Sequence, residues 1–147
     1  MEPERILLPL LIYISIKYVA YAAWCGLGVH LLRAASPRLS TSLFFGFIRL
    51  LIGACFGIMV FFVGGMMHLE APANPLLMYF AVYAPIRLVE WSILSYLIAD
   101  RSGTLATTKL FAWTLGGIVV SHLADIPMFL LLRGGPGEML PVGRFLC

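Results

Sequence analysis

The chain has 147 residues and a formal net charge of +3; 61% of its residues are hydrophobic, only 12% are charged, and its mean hydropathy is +0.97. Soluble domains carry roughly 25% charged residues, so this balance excludes a water-soluble globular domain and a disordered tail. Ten Lys and Arg stand against seven Asp and Glu. No basic run or basic–aromatic patch gathers, which excludes nucleic acid as a partner.

Four apolar segments follow one another, at about 6–32, 43–69, 76–99 and 105–132, and a polar tail covers 133–147. Each segment exceeds the ~20 residues that a helix needs to cross ~30 Å of hydrocarbon. Backbone groups in lipid must bond within their own segment, so these are predicted helices. The first segment, preceded by Met-Glu-Pro-Glu-Arg, lacks the positive bias of a signal peptide and reads as a retained span. Ser36-Pro37-Arg38 and Ser40-Thr41-Ser42 punctuate the first connection, the latter three as N-cap candidates. Pro72, Asn74 and Pro75 mark the second, and Gly103 and Thr104 the third. Short connections make neighbours antiparallel. The expected fold is an all-α integral membrane protein, an up-down bundle of four transmembrane helices forming one domain.

Both termini then lie on one side. The first and third loops carry Arg33, Arg38, Arg101 and Lys109, against Arg5, Arg133 and Arg144 on the other side. The positive-inside rule makes the loop side cytoplasmic and the termini non-cytoplasmic.

A charged side chain at membrane depth costs at least ~2.5 kcal/mol on insertion scales and calls for a reason. Lys17, Arg49, Arg87, Glu90 and Asp125 qualify, with His122 as a polar neighbour. On the second segment Arg49, Gly53, Gly57, Gly64 and His68 share a face, and Gly53-x-x-x-Gly57 is a small-residue packing motif. That face can meet a second copy, giving a homo-oligomer or a larger membrane complex. On the third segment Tyr79, Tyr83, Arg87 and Glu90 form a stripe, with Arg87 and Glu90 spaced to pair along the helix. On the fourth, Thr114, Ile118, Ser121, His122 and Asp125 share a face; a carboxylate that orients His122 is a general-base arrangement. His68 and Glu70 read as solvated interface residues.

Arg49 lies seven residues past Ser42 and Glu90 nine before Ala99, so their depths differ by only ~3 Å. The second and third helices can join them. The polar residues therefore form one layer near the midplane, with three cations against two carboxylates, and an anionic group would balance it. Cys25, Cys55 and Cys147 make no metal or disulfide pattern, and no metal or cofactor is expected.

Two local resemblances arise. Arg87-Leu88-Val89-Glu90-Trp91 resembles the Arg-x-x-acid-aromatic segment in the third helix of microbial rhodopsins, where the acid is counter-ion to a retinal Schiff base. It spans about ten of 147 residues, and no lysine matches that family's retinal lysine, so retinal is not carried over. Size and span count are also similar to those of the small glutathione-using membrane enzymes, whose arginine-rich second-helix motif has no counterpart here.

Three functions remain. The first is a membrane protein that binds or translocates an anionic or amphiphilic ligand, such as a membrane lipid, or handles protons. Its ligand residues would be Lys17, Arg49, Tyr83, Arg87 and Glu90. The second is a lipid-modifying enzyme with His122 and Asp125 as base. The third is a non-catalytic subunit or assembly factor.

Overall fold

A computed structural model of the chain describes residues 4–33, 38–66, 75–99 and 107–131. These form four helices: α1 (Glu4–Arg33), α2 (Leu39–Met66), α3 (Pro75–Ile98) and α4 (Thr107–Leu131). Each is long and apolar enough to cross a bilayer. The expected ends at 67–69, 105–106 and 132, the tail 133–147, and His68 and Glu70 lie outside the described residues.

The start of α2 differs from expectation. Ser40, Thr41 and Ser42 do not cap the helix from outside; they occupy its first turn. The Ser42 amide already donates to the Arg38 carbonyl at 3.1 Å, and its hydroxyl donates to the same oxygen at 3.3 Å. A hydroxyl that bonds back one turn fits inside a helix as well as at its cap, so the serines alone do not fix the boundary.

Neighbours in sequence are neighbours in space, and α4 closes the bundle against α1. The directions follow from close approaches. A Cβ on Gly26 would meet Ser42, and one on Gly46 would meet the Ala22 backbone at 2.8 Å. As α1 descends α2 therefore ascends. Arg87 lies on Asp125 and Trp91 on Ser121, which makes α3 and α4 antiparallel as well. The start of α1 and the end of α4 share one end of the bundle.

The two halves of the bundle differ in chemistry. Toward the α1–α2 and α3–α4 connections the interior is apolar: Val29, Leu32, Phe45, Leu94, Ile98 and Trp113 are buried together. Trp24 and Trp113 stack there at 6.4 Å, and each indole N–H donates to the other's carbonyl at 3.3 Å. This reciprocal clasp leaves neither indole N–H unpaired, as a dry interior requires. Toward the other end the interior is charged. Leucines, isoleucines and phenylalanines meanwhile cover the outside, as with Leu8 at 64% exposure and Phe62 at 63%. Apolar outside and charged inside is the reverse of a soluble protein.

Gly53 and Gly57 are buried within the chain itself.

Candidate functional site

Lys17, Arg49, Arg87, Glu90 and Asp125 are all buried, none more than 6% exposed. They divide into two clusters one helical turn apart, where the sequence suggested a single layer.

The first cluster is built on Asp125 of α4. One carboxylate oxygen accepts from the Tyr13 hydroxyl at 2.7 Å and faces the Lys17 ammonium at 2.9 Å, both from α1. Its other oxygen takes the Tyr79 hydroxyl and the Arg87 guanidinium, both from α3. Arg87 Nη2 also donates to the Tyr79 hydroxyl at 2.9 Å. Three helices thus converge on one carboxylate, while α2 presents Gly53 and Gly57 on its buried face. Rings line the cations. Lys17 sits 4.9 Å from the Tyr13 ring centre, and Arg87 5.6 and 5.9 Å from those of Tyr79 and Tyr83. Such faces favour a cation by about 0.5–2 kcal/mol.

Among the described residues, Lys17 and Arg87 share this one carboxylate. The hydrogen bonds of the cluster do not close. Asp125 has four donors, about its full capacity. Arg87 Nε and Nη1 have no acceptor.

The second cluster is Arg49 of α2 against Glu90 of α3, 2.5 Å apart and both fully buried. The similar depths read from the loop ends do bring these two together. Arg49 packs against the rings of both Tyr21 and Trp91, at 4.8 and 5.0 Å. Those rings meet edge to face, and the Trp91 indole donates to Ser121 at 2.9 Å, which fixes the box from α4.

Two expected pairings are corrected. Arg87 does not pair with Glu90 along α3. Helical side chains lean toward the N-terminus, and Arg87 leans to Tyr83, Tyr79 and Asp125. Nor does Asp125 orient His122. The imidazole Nδ1 lies 2.8 Å from the Ile118 carbonyl, and Nε2 has no partner. Asp125 is occupied by its four donors, so the i,i+3 spacing gives no carboxylate–imidazole dyad. The His122 ring instead stacks on Phe80 at 5.0 Å, at the half-exposed edge between α3 and α4.

Tyr13 and Tyr21 complete the two clusters and were not picked out from the sequence. Their signal was there: Tyr13, Lys17, Tyr21 and Cys25 recur every fourth residue and share one face of α1. Among the described residues no group of three or more His, Cys, Asp or Glu gathers that could hold a metal. No family model, curated protein or solved structure matches this chain.

Proposed function

We propose that the chain is a multi-pass integral membrane protein whose bundle holds the anionic headgroup of an amphiphile at the Lys17–Arg87–Asp125 cluster. One observation carries the reading. Arg87 shares a carboxylate whose acceptor capacity is used up, and its buried Nε and Nη1 donors have no acceptor among the described residues. An anion is a pure acceptor and would take both donors in charge-assisted hydrogen bonds, about twice as strong as the neutral ones water offers.

The surroundings favour an amphiphile over a free ion. The outer surface is apolar, and His122 with Phe80 lines the edge between α3 and α4 close to this cluster. A headgroup entering there would keep its tail in the membrane. Binding is favoured over translocation, because the apolar half of the bundle lies beyond the charged half. His122 has no carboxylate partner, so catalysis by a His122–Asp125 base is not favoured. Both termini face one side of the membrane, on the Lys/Arg balance the non-cytoplasmic one.

The test uses purified protein in a neutral detergent, offered equal amounts of phosphatidylglycerol and phosphatidylcholine and read by native mass spectrometry. Selective retention of phosphatidylglycerol is expected. Equal retention of both lipids would overturn the reading.

A further inference from the structure

The second cluster has a different set of unmet needs from the first. Arg49 Nε and Nη1 lack acceptors, Glu90 Oε1 lacks a donor, and the Tyr21 hydroxyl has no partner. All three residues are 0% exposed. Arg49 bonds Glu90 at 2.5 Å, so its outer donors and Glu90 Oε1 lie side by side, and the Tyr21 ring centre is 4.8 Å from the guanidinium.

Their mixture decides what fits. An anion would satisfy Arg49 but would be repelled by the free Glu90 oxygen. A cation would satisfy Glu90 and be repelled by Arg49. Only a small neutral group that both donates and accepts serves all four. Buried water makes two to four such bonds, and a buried site with several polar partners is where it is held. Leaving four buried polar atoms dry would cost an appreciable share of a domain's whole stability.

We infer that the Arg49–Glu90–Tyr21 cluster is an internal water site, separate from the anion site one turn away. The water bridges Glu90 Oε1 to the Tyr21 hydroxyl and to the outer donors of Arg49. The Trp91 ring and the apolar half of the bundle close it on the connection side. The two clusters then hold different occupants for one reason: the first leaves only donors unpaired, the second both donors and an acceptor.

Hydroxyl-radical footprinting of the full chain in nanodiscs tests this, because radiolysis of bound water oxidises the side chains beside it. Trp91 and Trp113 are both buried, at 0% and 3% exposure, but only Trp91 borders the cluster. Trp91 is expected to be oxidised at least tenfold faster than Trp113. Equal, slow oxidation of the two would show a dry cluster and overturn the inference. A high-resolution map should show compact density within hydrogen-bond distance of Glu90 Oε1 and the Tyr21 hydroxyl. Elongated density from a lipid or detergent headgroup would also overturn it. Neither readout depends on the anion site, so either proposal can fail alone.

Discussion

Glu90 and Asp125 are the two buried carboxylates among the described residues, and they carry different loads. Glu90 bonds Arg49, whereas Asp125 holds Lys17, Arg87 and two tyrosine hydroxyls. Removing one partner of a buried pair typically costs ~3–5 kcal/mol, against ~0–1 for a surface pair. Glu90→Gln should therefore lower stability by about that amount in detergent melts. Adding Arg49→Gln should restore part of it, and adding Arg87→Gln should not. Asp125→Asn should cost more than Glu90→Gln, because it removes the anion that Lys17 and Arg87 both contact. An equal or smaller loss would mean that Lys17 or Arg87 has another anion. The buried charges were legible in the sequence, since each is an expense that hydrocarbon does not tolerate without cause. The partner of Arg87 was not. Spacing says which residues share a face, but only side-chain direction and the neighbouring helix decide between Glu90 and Asp125.

At the scale of elements, length and hydropathy were enough to find four helices. Their ends were less legible, because a serine bonds as readily to the turn behind it as to an open amide ahead. The closest helix contacts rest on glycines that meet tryptophans. A Cβ on Gly116 would lie 2.3 Å from Trp24, and one on Gly28 would lie 2.6 Å from Trp113. Both would drive α1 and α4 apart and strain the reciprocal indole bonds. Overpacking of this kind costs ~1–3 kcal/mol. Gly116→Ala should lower the midpoint of thermal unfolding accordingly, while Leu115→Ala on the exposed side should stay within about 0.5 kcal/mol of wild type. If the two variants melt alike, the clasp is looser than the geometry indicates. Glycine in an apolar segment announces close packing in general. Which large residue fills the gap depends on register between α1 and α4, far apart in sequence.

The whole molecule is an inside-out bundle with one apolar and one charged half. On the proposed membrane placement this segregation follows from solvent: lipid accepts leucine outside, and only the interior can pair arginine with carboxylate. The start of α1 and the end of α4 share one end of the bundle, so, on the proposed membrane placement, reporters fused at residues 1 and 147 should read the same compartment. Opposite compartments would mean that one helix lies along the membrane instead of crossing it. The division into halves was not legible in the sequence, because it depends on which faces of four helices meet at each depth.

Headgroup binding rests on the unpartnered guanidinium donors of Arg87, and one binding measurement tests it most directly. Arg87→Lys keeps the charge against Asp125 but removes most of the guanidinium donors. Phosphatidylglycerol would be titrated into wild type, Arg87→Lys and Gly116→Ala in the same neutral detergent. Losing a charge-assisted hydrogen bond is worth about 1.5–3 kcal/mol, so Arg87→Lys should bind roughly tenfold or more weakly. Gly116→Ala, destabilised but with its anion cluster intact, should keep wild-type affinity. Equal affinity of Arg87→Lys and wild type would contradict the account, because the headgroup would then be held by something other than the unpaired guanidinium.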